Sequence, residues 1–168
     1  SQRPKEFFRK ERWFCPDCNT ELIYRHGNRK VPHFSHRTLE NCSYSHESES
    51  ILHLNGKVDL YTACSVYTSA YLEYKLTDLS QRADIYLPNN DLAIEYQCSS
   101  LSFSAYKSRT EGYEKLNLSS WWIIGGAPRT VTFQPNTIVN LRSFEQMMIK
   151  FHPNLHWYLH YYNPPQKR

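Results

Sequence analysis

The sequence contains no apolar run close to the roughly 18 residues that a membrane-spanning helix needs. Residues 1–12 are charged and lack the apolar core of a secretory signal. We therefore expect a cytoplasmic protein that does not enter the membrane. Internal repeats and low-complexity tracts are also lacking. The 168 residues, 40% of them hydrophobic, are enough for one sizeable domain and a small appendage.

The positive charge is concentrated at the start of the chain. Residues 1–46 carry nine Lys and Arg against five Asp and Glu, whereas residues 47–168 carry eleven of each. This distribution favours an N-terminal segment that meets a polyanion, although metal-bound thiolates would offset part of the excess.

Cysteine and histidine cluster near the N-terminus in the order expected of a tetrahedral zinc site. Cys15 and Cys18 form a CxxC pair, His33 and His36 follow beyond a predicted hairpin, and Cys42 comes last. Five candidates compete for four positions. We favour the three cysteines with His36, because His33 lies in the predicted strand, and we keep His33 as the alternate ligand. Such a zinc ion would be structural and would stabilise a segment too short to build its own core.

Hydrophobic periodicity divides the chain into a zinc-binding module at 1–46 and an α/β domain at 47–168. In the second region helices and strands alternate, which predicts a mixed sheet flanked by helices. The predicted helices cover 47–63, 103–116 and 141–151, and the predicted strands cover 66–67, 70–76, 82–87, 92–97 and 120–124. Ser102 is the predicted N-cap of the second helix.

The clearest local pattern is a hairpin around the turn at 88–91. A symmetric register sets Leu87 opposite Leu92 and Asp84 opposite Glu95. Period-two alternation then predicts one polar face and one uncharged face. The polar face would carry Arg82, Asp84, Glu95 and Gln97, and the uncharged face Ala83, Ile85, Leu87, Leu92, Ile94 and Tyr96.

Two opposed carboxylates repel each other unless a cation lies between them. Asp84 and Glu95 are therefore candidate ligands for Mg²⁺, with Mn²⁺ as a substitute, because hard divalent cations favour carboxylate oxygens. The alternative is a solvated polar face in which Arg82 forms a salt bridge.

Neighbouring predicted helices carry residues suited to the same site. Glu49 and His53 share one helical face, and could add a third carboxylate and an imidazole. Lys107, Arg109 and Tyr113 lie on the following helix and could bind phosphate.

Together these motifs resemble the CoiA family of competence proteins, which combine a zinc-binding N-terminus with a nuclease domain of the PD-(D/E)XK type. The resemblance covers roughly residues 13–126. The matching segments are Cys15–Cys18, His33–His36, Glu49-Ser50 with His53, Gln81–Asp84, Ala93–Ser99, Arg109 and Trp122–Gly125.

The resemblance implies a restriction-endonuclease-like core with Asp84, Glu95 and the helical Glu49 as its acids. Gln97 stands where that superfamily usually has a catalytic Lys, and an amide can only hydrogen-bond. Either Gln97 orients the attacking water, or Lys57 or Lys75 supplies the missing cation, or catalysis is weak or lost.

The expected function is Mg²⁺-dependent cleavage of DNA during uptake, recombination or defence against foreign DNA. Asp84 and Glu95 would hold the metal, Gln97 and His53 would position water, and Arg82 and Arg109 would hold phosphate oxygens. DNA is the expected partner; a homodimer would allow both strands to be cut, and recombination proteins are further candidates. The competing hypothesis is a catalytically inactive, zinc-containing DNA-binding factor that assists recombination.

Two other patterns have a structural explanation. His152, His156 and His160 recur every four residues, but Pro153 argues against one continuous helix, so they are predicted to be surface residues. The pair Trp121-Trp122 is predicted to be core strand and cover.

Overall fold

The computed structural model describes residues 11–15, 18–25, 33–38, 42, 50–76, 81–126 and 140–164. By its internal contacts the chain divides into two compact units, Ser1–Ser50 and Ile51–Arg168. Among the described residues, every helix is too short or too polar to cross a lipid bilayer.

The first unit contains a small antiparallel sheet in the order β1-β2-β3. Its strands are β1 (Trp13–Phe14), β2 (Glu21–Arg25) and β3 (His33–Ser35). Phe34 packs against two aromatic rings: its ring centroid lies 5.2 Å from that of Trp13 and 5.3 Å from that of Tyr24. The described strands of this unit are short and bury little apolar surface, and units of this size are usually stabilised by a metal or another added constraint.

The second unit is built on a five-stranded sheet in the order β10-β7-β6-β5-β4. Neighbours β4, β5 and β6 are antiparallel, whereas β7 runs parallel to β6 and to β10. The sheet strands are β4 (Tyr71–Leu76), β5 (Gln81–Leu87), β6 (Leu92–Gln97), β7 (Ser119–Gly125) and β10 (Tyr161–Tyr162). The expected α/β class, a mixed sheet flanked by helices, is confirmed.

In the described part of this unit three helices accompany the sheet: α1 (Ile51–Ser65), α2 (Phe103–Lys115) and α3 (Ser143–Met147). The predicted Ser102 cap is confirmed, since the Ser102 hydroxyl accepts a hydrogen bond from the Ala105 N–H at 3.2 Å. The parallel pairing of β6 and β7 requires a crossover, and α2 supplies it.

The helices cover opposite faces of the sheet. Leu60, Tyr61 and Cys64 of α1 pack on the cluster formed by Ile85, Leu87, Ile94, Tyr96 and Ile123. Tyr113 of α2 packs with Ala83 and Ala93. Because Ala93 and Ile94 are consecutive residues of one strand, they point to opposite faces, and α1 and α2 therefore lie on opposite sides.

The hairpin turn follows the predicted register, with Leu87 paired to Leu92 and Ile85 to Ile94. Residues Pro88–Asn90 form one 3₁₀ turn, and Asp91 closes it at φ 46°. The assignment of Ala83 to the same face as Ile85 was wrong, because Ala83 packs with Tyr113 on the α2 side. Pairing of β5 with β4 passes over Asp84, pairing of β5 with β6 ends at Ile85, and the period-two alternation does not continue through Asp84.

The predicted helix at 141–151 was also wrong in its second half. Helix α3 ends at Met147, and strands β8 (Lys150–His152) and β9 (His156–Tyr158) form an antiparallel hairpin. Local periodicity could not reveal this pairing, because it depends on residues beyond Pro153.

Replacing Gly56 with Ala is expected to destabilise the second unit by about 1–3 kcal/mol, as overpacked cores do. A Cβ at Gly56 would overlap the ring of Tyr96, which is 1% exposed. Urea unfolding measures the loss, and Val58→Ala on the exposed side of the same helix is the control. Equal stability of the two variants would contradict the close helix–sheet contact.

Candidate functional site: a Cys/His cluster and two acidic clusters

Three cysteines and one histidine converge in the first unit. The ligand atoms of Cys15, Cys18, His36 and Cys42 all lie within 4.8 Å of one another. Cys18 Sγ lies 3.2 Å from His36 Nε2. These are the four residues favoured from the sequence, whereas His33 is paired with Arg25 within the sheet. Such a set could hold a metal ion such as zinc.

Two backbone hydrogen bonds hold Cys15 close to the residues that follow Cys18. The Asn19 N–H donates to the Cys15 carbonyl at 2.9 Å, and the Cys15 N–H donates to the Thr20 carbonyl at 2.8 Å. Hydrogen bonds from Thr20 lower the pKa of Cys18 to about 6. A thiol with a lowered pKa is readily available as thiolate, the form that binds metal.

In the second unit, Asp84 is fixed by the backbone of the neighbouring strand. Its Oδ2 accepts a hydrogen bond from the Tyr96 N–H at 2.8 Å and lies 3.5 Å from His53 Nε2. The His53 ring stacks on the Tyr96 ring, with centroids 5.8 Å apart. Helix α1 and strand β6 therefore hold this carboxylate and imidazole next to each other.

A buried lysine joins the same group. Lys57 lies one helical turn after His53 and is only 3% exposed. Its ammonium forms an ion pair with Glu73 and lies 3.9 Å from Asp84 Oδ1. Glu73 has a left-handed backbone, with φ of 53°, at the position where β4–β5 pairing passes over it.

Glu95 makes its contacts with a different set of residues from those around Asp84. It is 2% exposed, and Arg109 donates to both of its carboxylate oxygens at 2.6 and 2.7 Å. The Tyr113 hydroxyl donates to the same carboxylate. Burial, reinforced by the negative charge of Asp84 and opposed by Arg109, raises the pKa of Glu95 to about 7.

The expectation of one polar face is therefore corrected. Asp84 is held from the α1 side, and Glu95 from the α2 side. The interruption of strand pairing at Asp84 is the physical cause, because it allows Asp84 to leave the alternation that would align it with Glu95. The two carboxylates remain close enough for the charge of one to act on the other.

The remaining residues predicted for the site make contacts of their own with neighbouring groups. Gln97 directs its amide to the carbonyl and hydroxyl of Ser99 at 2.9 and 3.2 Å. The Arg82 carbonyl accepts a hydrogen bond from Arg109 at 3.0 Å. Lys107 is exposed and pairs with Glu111 at 3.6 Å. Glu49 lies outside the described residues.

Sequence reasoning identified Lys57 as one of two replacement lysines but missed Glu73. The four-residue spacing from His53 pointed to Lys57, whereas its rival Lys75 is exposed on β4, opposite Arg82. Glu73 lies in an apolar-looking strand, where nothing in the local pattern distinguishes it from a solvated charge.

The second unit is thus an α/β domain with acids at the centre of a five-stranded mixed sheet, and the first unit carries a Cys₃His cluster that could hold a metal ion. Two family models match the chain. The nuclease-like domain of the competence protein CoiA matches residues 49–168, and the N-terminal domain of CoiA matches residues 1–45. The chain belongs to the CoiA family.

A characterised relative agrees with this assignment. The competence protein CoiA of Bacillus subtilis (strain 168) is 35% identical over 120 residues, which cover 70% of this chain. The match covers 32% of the Bacillus protein, so this chain spans about a third of that relative's length. No solved structure matches the chain.

Replacing Glu95 with Gln is expected to flatten the pH dependence of stability. In the folded protein the pKa of Glu95 is about 7, whereas a glutamate that is not buried, as in the unfolded chain, has a pKa of 4.5. Its contribution to stability is therefore fully present below pH 4.5 and is lost as the pH rises through 7. Unfolding free energies between these limits, measured without added divalent metal, test this.

The matched control is Glu111→Gln, an exposed carboxylate on the same helix as Arg109. It should leave the pH dependence close to that of the wild type. If Glu95→Gln and the wild type lost stability equally between pH 5 and 7, the protonated state of buried Glu95 would be disproved.

Proposed function

We propose that this chain is a metal-dependent nuclease that hydrolyses phosphodiester bonds in DNA. The observation that carries the proposal is the grouping of Asp84, His53, Lys57 and Glu73 beside the central strands. It brings two carboxylates, an imidazole and a buried ammonium together within a nuclease-like domain. Gln97 stands where a catalytic Lys is usual, and its amide carries no charge. The ammonium of Lys57 would supply the missing cation.

Mg²⁺, or Mn²⁺ in its place, suits the acids of this domain. Burial is the main cause of the raised pKa of Glu95, and the negative charge of Asp84 adds to it. A divalent cation held by both acids would relieve that repulsion. Asp84 and Glu95 would hold the ion once Arg109 releases an oxygen of Glu95, with Tyr113 still orienting Glu95. Bound there, the metal would supply Lewis acidity and a more acidic water.

The chain's own residues would perform the remaining tasks. Lys57 would stabilise negative charge on the phosphate, because its ammonium is already desolvated beside Asp84. His53 would exchange a proton with the attacking water, since imidazole changes charge near neutral pH. Tyr96 would hold both partners, through its N–H to Asp84 and its ring to His53. Arg82 and Lys107 remain candidate phosphate contacts, as Gln97 remains a candidate for orienting water.

In the first unit, we propose that the Cys₃His cluster holds a structural zinc ion. Three thiolates and one imidazole complete a tetrahedral shell and leave no open position for chemistry. The metal would supply the folding free energy that the short strands lack.

The biological setting is also a proposal. The Bacillus relative is named a competence protein, which favours DNA taken up from outside as the substrate, with recombination or defence against foreign DNA as related roles. Cytoplasmic location, a homodimer that cuts both strands, and contact with recombination proteins complete the proposal.

A second candidate function is DNA binding without cleavage, in support of recombination. It is favoured because two residues of the site already hydrogen-bond other groups of the protein. Glu95 already has Arg109 on both oxygens, and Gln97 is turned to Ser99. Both would have to be redirected before they could hold metal and water.

Cleavage of single- and double-stranded DNA with Mg²⁺ or Mn²⁺ separates these functions. Asp84→Asn should abolish cutting, and Lys57→Gln should slow it by about 100-fold or more, as loss of a charge-stabilising donor does. Lys75→Gln, the rival lysine on exposed β4, should cut at nearly the wild-type rate.

Melting temperature and DNA affinity serve as controls for the buried Lys57. Full activity of Asp84→Asn, or equal rates for Lys57→Gln and Lys75→Gln, would refute the assignment of this site. A wild type that cuts nothing but binds DNA tightly and in a salt-sensitive manner would establish the second function.

Zinc binding is tested by comparing the two neighbouring histidines. Protein purified without chelator should contain one zinc ion per chain, retained in His33→Asn and lost in His36→Asn. Cys64→Ser, which changes a cysteine of α1, should also keep its zinc. Zinc-free wild-type protein would contradict the proposal, and loss of zinc from His33→Asn alone would reverse the ligand assignment.

A further inference from the structure

An open groove of about 380 Å³ lies beside the start of strands β6 and β7. The groove is lined by side chains from four strands and the segment after β9: Leu92 of β6, Trp121 of β7, Lys150 of β8, Tyr158 of β9 and His160. The volume falls within the range of roughly 300–1,000 Å³ that is usual for ligand sites. Nothing in the proposed cleavage chemistry uses these side chains.

The aromatic rings of the groove hold one another in fixed positions. His160 meets the Trp121 and Tyr158 rings edge to face, with centroids 5.0 and 5.1 Å away. The Trp121 indole N–H donates to His160 Nδ1 at 2.9 Å. Trp121 remains 36% exposed although its backbone is part of the central sheet. It is therefore a rigid ring with an accessible surface.

The same hydrogen bond fixes the tautomer of His160. An indole N–H can only donate, so Nδ1 must accept and the ring proton must sit on Nε2. Burial also lowers the pKa of His160, which favours this neutral form. His160 thus offers an N–H donor, and Lys150 offers an exposed positive charge. Among the described residues that line the groove, none is acidic.

We propose that this groove binds an unpaired nucleotide of single-stranded DNA. The base would stack on Trp121, the phosphate would meet Lys150, and His160 Nε2–H would donate to an acceptor on the nucleotide. An aromatic surface beside an isolated cation is the combination that sequence-tolerant binding of single strands uses. Bases inside a duplex are stacked on each other, so a duplex cannot present one to the groove.

The groove lies close to the acidic clusters without being part of them. Leu92 and Glu95 are three residues apart on β6, which is about 10 Å along a strand. A strand held in the groove would therefore lie near the acids. Binding at the groove needs neither metal nor cleavage, so this inference goes beyond the proposed nuclease function.

The test measures binding of a fluorescein-labelled oligothymidylate by anisotropy, without added divalent metal so that cleavage does not enter. Trp121→Ala should weaken binding by about fivefold or more, in line with the loss of one stacked base. Trp121→Phe keeps a ring and should stay within about threefold of the wild type. Lys150→Gln should lower the slope of log affinity against log salt by about 0.7, as loss of one phosphate contact to a single strand does.

The matched control is Trp157→Ala. Trp157 is 72% exposed on the same hairpin and packs on Phe151, outside the groove. The Trp157→Ala variant should bind the single strand as the wild type does. As a second control, Trp121→Ala should bind a blunt duplex of equal length with nearly the wild-type affinity. The proposal is overturned if Trp121→Ala binds the single strand normally, if Trp121→Phe loses as much, if Trp157→Ala weakens binding instead, or if the Lys150→Gln salt slope is unchanged.

Discussion

One hydrogen bond organises the centre of the second unit: the Asp84 carboxylate accepts the backbone N–H of Tyr96. Paired positions between β5 and β6 run from Leu87–Leu92 to Ile85–Ile94, and at Asp84 the side chain replaces a strand carbonyl as acceptor. A buried N–H must have a partner, so this contact maintains the sheet while it fixes the carboxylate. It also turns Asp84 towards α1, where His53 and Lys57 lie.

Buried charge explains the arrangement around that bond. A desolvated ion is costly unless it is paired, and the buried ions described near the sheet centre have partners from a helix or a neighbouring strand. Lys57 pairs with Glu73, and Glu95 pairs with Arg109. The acids are thus divided between the two faces of one sheet. That division limits their repulsion without removing it, since burial and, after it, the negative charge of Asp84 raise the pKa of Glu95.

The sequence predicted what depends on local geometry. The turn at 88–91 fixed the register of the hairpin, Ser102 capped α2, and the CxxC pair with His36 and Cys42 came together. It failed where a distant partner decides the outcome. The orientation of Asp84 depends on the Tyr96 N–H, twelve residues away. Similarly, Lys150–His152 became a strand because His156–Tyr158 pairs with it.

Strand β6 links the candidate site to the groove. It pairs with β5 on one side and β7 on the other, so its residues have little freedom to move relative to one another. In this register Ile94 lies opposite Trp121, and Glu95 lies opposite Trp122. Trp122 borders the groove, and its ring lies 6.0 Å from the guanidinium carbon of Arg109, which holds Glu95. Consecutive residues of β7 would therefore serve the two proposed sites: Trp121 would stack on the nucleotide, and Trp122 lies beside the arginine that holds the buried acid.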